Sequence, residues 1–132
     1  MNKKQLTAET TNDTISVYDI SLDDIKGRSI MEETLTDSTY LILLALLKPQ
    51  HGYAIMKEVN LLTNGQVTIG PASMYTILKK LQTSKYISLE ESSDRKKIYL
   101  ITDKGRSILE QDVERRKLLY QAGSRLLAKK GD

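Results

Sequence analysis

Hydroxyl and amine side chains are concentrated in one stretch of the chain, IGPASMYTILKKLQ, which runs from Ile69 to Gln82. Hydroxyl groups donate and accept hydrogen bonds, so they can contact the edges of nucleic-acid bases. Lysine ammonium groups neutralise phosphates, which gives affinity without sequence preference. This stretch therefore offers noncovalent recognition of DNA rather than catalysis. The candidate contact residues are Ala72, Ser73, Tyr75, Thr76, Lys79 and Lys80.

The spacing of apolar residues predicts how a helix presents these side chains. A stripe at i, i+3, i+4 and i+7 is typical of the buried side of an amphipathic helix. The stripe consists of Met74, Ile77, Leu78 and Leu81. Pro71 suits the first helical position, because its missing N–H has no partner there anyway. The small residues that follow let the backbone approach closely, and first-turn amides can meet a phosphate. This segment alone is equally compatible with a solvated helix face.

A second cationic segment, SSDRKK, places Arg95, Lys96 and Lys97 side by side. It joins YISLEE and KIYLIT, two runs rich in β-branched and aromatic residues, so the pattern predicts a β-hairpin with a charged tip. Such a tip is suited to probing the minor groove or phosphates. The alternative is that the charges protect an exposed strand edge.

Composition limits the class of protein. The chain has 132 residues, 39% hydrophobic and 28% charged, which fits one domain with a small core. It has no cysteine and one histidine, so no disulfide, metal site or cofactor is predicted. The longest apolar run, Tyr40 to Leu47, is far shorter than the roughly 20 residues of a membrane helix. With no signal-peptide pattern, we expect a cytoplasmic protein without a membrane partner.

Charge is unevenly distributed along the chain. Residues 1–35 carry four Lys or Arg and seven Asp or Glu, whereas residues 36–132 carry sixteen and ten. The basic part is where an anionic partner is expected.

The sequence does not predict an enzyme. The glycines stand singly, so no glycine-rich phosphate loop is present. Carboxylates occur as sequence neighbours, such as Glu90 and Glu91, whose side chains diverge on a helix or strand. The lone His51 lies beside a glycine and supports no Ser-His-acid set.

The predicted elements are three helices, a β-hairpin and a long last helix, which is the order of a winged helix-turn-helix. The fold class is therefore mainly α with a small β-hairpin. Thr102 caps the last helix, which continues to about Leu127 with an apolar face that breaks at Arg116. We predict a partly disordered N-terminal extension over residues 1–35, in which the pattern from Ser21 is compatible with a short helix. A winged-helix DNA-binding domain is predicted over 36–102 and a dimerisation helix over 103–132.

Four segments carry a family resemblance: LILLALL, HGYAIMKEV, GPASMYTILKKLQ and DRKKIYLITDKG. In order and spacing, from Leu41 to Gly105, they resemble the PadR family of bacterial transcriptional regulators. Each motif is weak alone, but the set is fairly specific and covers about half the chain. The single last helix resembles that of the small subfamily.

The resemblance implies a homodimeric winged-helix protein that binds double-stranded DNA, usually a repressor. It implies that Tyr75 and its neighbours touch DNA with help from the wing. Tyr53 either reaches a phosphate or packs the start of the second helix, and His51 is expected to act as a structural cap. By family analogy, a small-molecule effector at the dimer interface shifts the spacing of the two third helices. The chain lacks the tryptophans with which some small members grip aromatic drugs.

The last helix is too apolar to be covered by so small a domain, which predicts a homodimer built on it. The residues predicted to form the dimer contact are Ile108, Leu109, Val113, Leu119, Tyr120, Leu126 and Leu127. Such a dimer would place two third helices about 34–36 Å apart, in successive major grooves of an inverted-repeat operator. The rival interpretation is a winged-helix module that binds protein, such as an antirepressor or assembly factor, and does not bind DNA.

Overall fold

The computed structural model describes residues 34–129 of the chain. The elements are α1 (Asp37–Ala45), α2 (Gly52–Leu62), α3 (Pro71–Thr83), β1 (Ile87–Glu91), β2 (Lys97–Ile101) and α4 (Asp103–Leu127). This order confirms the predicted winged helix-turn-helix. The short helix predicted from Ser21 lies outside the described residues. Within residues 34–129, no helix is both long enough and apolar enough to cross a membrane.

Side-chain and backbone caps explain where the helices begin and end. Thr36 Oγ1 accepts a hydrogen bond from Thr39 N at 3.2 Å at the start of α1. Helix α2 ends where Asn64 and Gly65 take φ values of 53° and 78°, which a right-handed helix cannot continue through. Thr102 caps α4 by accepting from Gly105 N at 3.0 Å, as its sequence position predicted.

Gly105 allows α4 to begin against the segment that leads into β1. A Cβ built on Gly105 would overlap the carbonyl oxygen of Tyr86, which is backbone and cannot rotate away. The same carbonyl accepts from Thr102 N at 3.0 Å. The first turn of α4 is thereby fixed on the domain by close backbone contact.

The wing is a two-stranded antiparallel hairpin in which Leu89 lies opposite Tyr99 and Glu91 lies opposite Lys97. Its turn is closed by Ser92 N donating to Lys96 O at 2.8 Å. On the other edge of β2, Gln50 and Tyr99 exchange two backbone hydrogen bonds of 3.1 and 2.9 Å. The loop before α2 is therefore joined to the wing.

The core lies between the helices and the base of the hairpin. Its fully buried centre is formed by aliphatic residues of α1, α2 and α3 and by Met74. Ile108 and Leu109, predicted as dimer contacts, belong to this core and are 6% and 3% exposed. The first half of α4 packs on its own domain, so these two side chains are already covered within one chain. The exposed apolar residues of α4 begin at Val113.

Charged side chains join α1 to α4 in a cluster that we call the α1–α4 clasp, formed by Asp37, Tyr40, Asp112, Arg115 and Arg116. The Asp112 carboxylate is 2% exposed and accepts from Arg115 Nε at 2.9 Å and Arg116 Nε at 2.7 Å. Arg116 also donates to Asp37 at 2.8 Å and lies 4.0 Å from the centre of the Tyr40 ring. The break in the apolar face at Arg116 is therefore an internal ion pair.

The clasp also determines the protonation of its buried carboxylate. Burial alone raises the pKa of Asp112, but hydrogen bonds from Arg115, Arg116 and the Leu35 amide outweigh it and hold the pKa below its usual range. Asp112 is consequently a paired, ionised group at neutral pH. Both backbone groups of Leu35 join this cluster, since Arg116 Nη2 donates to the Leu35 carbonyl at 3.1 Å.

Candidate nucleic-acid interface

Helix α3 turns the predicted apolar stripe inward. Met74, Leu78 and Leu81 are buried, and Ile77 packs half-buried against them, which confirms the interpretation of this stripe. Gly70 precedes the helix as an N-cap residue that offers no side-chain acceptor, and Pro71 occupies the first turn. The amides of that turn consequently remain open to an external acceptor.

The opposite side of α3 is exposed at every residue predicted to contact DNA: Ala72, Ser73, Tyr75, Thr76, Lys79 and Lys80. The Thr76 hydroxyl donates to Ala72 O at 3.0 Å, so it offers an external partner its acceptor lone pairs and its methyl group. Along this side lies a surface groove of about 510 Å³, lined by Thr76, Lys79, Lys80, Thr83 and Ser84. Lys79 and Lys80 form no ion pair within residues 34–129.

A second concavity brings the start of α2, one residue of α3 and the wing together. We call it the α2–wing cleft; its volume is about 370 Å³, and it is lined by His51, Gly52, Tyr53, Tyr75, Arg95, Lys96, Lys97 and Tyr99. Five of the residues predicted from the sequence to contact DNA meet here. The others, on α3, face the neighbouring groove or solvent.

Tyr75 and Gly52 are in direct contact at the base of the cleft. A Cβ built on Gly52 would lie 2.5 Å from the Tyr75 hydroxyl oxygen and 3.1 Å from the Met74 methyl group. A side chain at position 52 would displace the phenol from this position, and the rest of Tyr75 is half exposed. The sequence pattern did not identify Gly52 and Tyr99 as site residues, because a single glycine and a strand tyrosine give no local signal of a shared cleft.

His51 occupies the N-cap position of α2, but its side chain does not cap the helix. Its Nδ1 lies 3.1 Å from the carbonyl oxygen of Lys97. Since a carbonyl only accepts, Nδ1 carries the proton in this contact. The ring therefore connects α2 to the wing. His51 does occupy the predicted N-cap position, but its side chain does not make a capping hydrogen bond.

The tip of the wing contains one internally compensated cation and two uncompensated ones. Asp94 accepts from the Ser92 hydroxyl and lies 4.0 Å from Lys96 Nζ. The hydrogen bond from Ser92 lowers the pKa of Asp94, and with the amide and charge of Lys96 it outweighs desolvation, which acts in the opposite direction. In the described part of the chain, Arg95 and Lys97 form no ion pair, although Glu91 is in register with Lys97.

The arrangement suits an anionic partner rather than a metal ion. The residues that line the cleft include three cations and no carboxylate. Across residues 34–129, no three His, Asp or Glu side chains are grouped closely enough to hold a metal ion.

Comparison with known proteins gives a family match over the region that contains the α3 groove and the α2–wing cleft. A model of the transcriptional regulator PadR-like family matches residues 41–111, just over half of the chain, including both concavities. The transcriptional regulator YqjI of Escherichia coli K12 is 31% identical over 83 residues. That match covers 61% of this chain and 40% of YqjI, so the chain spans about two fifths of that relative.

Solved structures share the fold. A PadR family transcriptional regulator from Eggerthella lenta superposes with a TM-score of 0.60 at 24% identity, covering 85% of this chain and 96% of that one. F93 from STIV, a winged-helix DNA-binding protein, gives a TM-score of 0.54 at 23% identity, covering 61% and 87%. At these identities the likeness establishes the winged-helix architecture.

Proposed function

Because the chain belongs to the PadR-like family of transcriptional regulators, we propose that it acts by binding double-stranded DNA sequence-specifically as a homodimer. The observation that carries this proposal is the position of the wing. Arg95, Lys96 and Lys97 border the same cleft as Tyr75 of α3 and Tyr53 of α2. One side of the domain thus combines a recognition helix with a cationic loop from the same chain.

Helix α3 enters the major groove in this proposal. Its exposed side is small near the N-terminus, where Ala72 and Ser73 let the helix approach the base edges. Ser73 and Thr76 supply polar contacts to bases, while Lys79 and Lys80 neutralise backbone phosphates. The wing cations reach the adjacent backbone or minor groove.

The homodimer is proposed from the second half of α4. Within the described chain this half leaves large apolar side chains uncovered, with Tyr120 74%, Leu126 64% and Leu127 82% exposed. Val113 and Leu119 extend the same apolar surface toward the domain. Apolar exposure of this extent on one helix favours a protein partner, and a second copy of α4 offers matching chemistry.

Changing both Leu126 and Leu127 to Glu is expected to give a monomer with an intact domain, as measured by sedimentation equilibrium and circular dichroism. Leu61→Glu is the matched control, since Leu61 is 70% exposed on α2, away from α4. A wild-type protein that sediments as a folded monomer at high concentration contradicts the dimer.

The regulatory consequence follows from the dimer. Two α3 helices about 34–36 Å apart fit successive major grooves of an inverted repeat, and occupancy of such an operator blocks transcription. A small-molecule effector at the dimer interface would release the repressor by changing that spacing. Repression and effector release are proposed from family membership.

Selection of bound duplexes from a random DNA pool tests the proposal. We expect a palindromic consensus whose half-sites are one helical turn apart, and affinity that falls steeply between about 50 and 200 mM salt. Absence of any duplex binding at low salt would instead favour a module that binds protein.

A further inference from the structure

The α2–wing cleft contains hydrogen-bond donors that no described residue uses. Helix α2 begins at Gly52, and the first hydrogen bond of its ladder is donated by Ile55 to the His51 carbonyl. The amides of Gly52, Tyr53 and Ala54 therefore have no acceptor within the helix. The His51 side chain, which could have capped them, is bonded to the wing instead.

Tyr99 is a second, independent sign of a missing partner. Its side chain lines the cleft, the residue is 5% exposed, and its hydroxyl forms no hydrogen bond with any residue from 34 to 129. Burial raises the pKa of Tyr99, and the nearby Tyr75 phenol raises it further. The hydroxyl therefore has no acceptor in the described chain and is available to an acceptor that enters the cleft.

The remaining walls of the cleft also donate. Tyr75 places its hydroxyl against Gly52, beside the free amides of α2. Arg95 and Lys97 add two cations without an ion-pair partner in the described chain, and no carboxylate lines the cleft. Backbone amides, hydroxyls and cations around one opening match a group with several acceptor oxygens and a negative charge.

We infer that the α2–wing cleft binds one phosphate group, which accepts from the first-turn amides of α2 and from the hydroxyls of Tyr75 and Tyr99, and pairs with Arg95 and Lys97. The cleft, at about 370 Å³, is open and large enough to admit a phosphate that belongs to a larger molecule. When that molecule is DNA, the inference rests on the proposed function and makes Tyr75 a backbone ligand rather than a base reader. When it is a free phosphate ester, the same cleft is an effector site.

The test uses the full chain labelled with ¹⁵N and titrated with inorganic phosphate at constant ionic strength against chloride. We expect saturable shifts of the Gly52 and Tyr53 amide resonances. Tyr99→Phe removes only a hydroxyl and should weaken phosphate binding about tenfold, and Lys97→Ala should weaken it with the core untouched. Tyr40→Phe is the control, because its ring stacks on Arg116 outside the cleft.

A parallel titration with duplex DNA at low salt separates the two sources of phosphate. If DNA supplies the group, the same amides shift, and Tyr75→Phe and Tyr99→Phe lower affinity equally for all sequences. If phosphate binds through Tyr99 but no duplex binds, the cleft is a site for a free phosphate ester and the proposed function fails. A third outcome contradicts the inference but leaves DNA binding intact. In that outcome the duplex binds, neither phosphate nor DNA shifts the Gly52 amide resonance, and the Tyr99→Phe variant binds DNA as tightly as the wild type.

Discussion

The α1–α4 clasp and the α2–wing cleft both gather polar and charged side chains, but they treat them in opposite ways. In the clasp, a buried carboxylate is paired with Arg115 and Arg116, and Arg116 continues to Asp37 and the Leu35 carbonyl. In the cleft, Arg95 and Lys97 have no ion-pair partner in the described chain. Every charge of the clasp is paired, whereas two of the three cations that line the cleft are not.

This difference separates a structural role from a binding role. Removing a charge from water costs several kcal/mol unless geometry and hydrogen bonds compensate, so a buried pair is kept only when its partners are fixed. Exposed cations remain hydrated and avoid that cost. Leaving them unpaired beside free amides keeps their field available to an outside anion. The comparison therefore predicts that clasp variants change stability and cleft variants change DNA affinity.

The largest expected effect is on stability. Asp112→Ala removes the buried acceptor of Arg115, Arg116 and the Leu35 amide, while both arginines keep contact with solvent. It should lower the free energy of unfolding by about 1–3 kcal/mol, measured by urea denaturation. The exposed neighbour Glu110 supplies the control, since Glu110→Ala should stay within about 0.5 kcal/mol. A loss below about 1 kcal/mol for Asp112→Ala would show that the clasp is not the structural element described.

The second prediction concerns the stability of the fold at low pH. Because the folded-state pKa of Asp112 is lowered, the stability from its ionised form is fully present above its unfolded pKa of about 3.9. That stability is lost as the pH falls through the folded pKa. The difference in unfolding free energy between wild type and Asp112→Asn should therefore be constant near neutral pH and shrink below about pH 4. A difference that does not change down to about pH 2 would show that folding does not lower the pKa of Asp112.

A third prediction addresses the wing. Changing both Arg95 and Lys97 to Ala should weaken duplex binding for every sequence and reduce the salt slope by about 2, because each phosphate contact contributes roughly 0.9. Thermal stability should be nearly unchanged, since both side chains are exposed. Fluorescence anisotropy over a salt series measures the slope. An unchanged salt slope would show that Arg95 and Lys97 do not contact DNA phosphates.

The smallest expected effect is on sequence preference. Thr76→Val keeps the shape of the side chain but removes an acceptor on the exposed side of α3. It should cost roughly 1 kcal/mol on the preferred duplex and less on others, with the salt slope unchanged. Competition between the selected duplex and single-base variants gives the measurement. An equal loss of affinity for all duplexes would show that Thr76 contacts the DNA backbone and not a base.

Local signals predicted the fold because they were consistent with one another. The apolar spacing of α3, the cap at Thr102 and the charged turn between two β-rich runs each required only nearby residues. The exposure of the α3 side chains followed from the same periodicity. These are the parts of the structure that short-range geometry decides.

Contacts between distant segments could not be predicted in the same way. The pairing of Asp37 with Arg116 joins residues 79 positions apart, and a helical period shows Arg116 only as a break in an apolar face. The packing of Tyr75 on Gly52 and the buried hydroxyl of Tyr99 depend on how α2, α3 and the wing meet. The burial of Ile108 and Leu109 likewise depends on where α4 begins against Tyr86.

The central claim is that one side of the domain receives DNA and the clasp side does not. The most direct measurement is the change in amide resonances of the full ¹⁵N-labelled chain when a selected duplex is added. We predict the largest changes over residues 72–80, at Gly52 and Tyr53, and at Arg95 to Lys97, with little change from Asp112 to Arg116. Changes confined to α4, or no change in α3 under conditions where the duplex is bound, would contradict it.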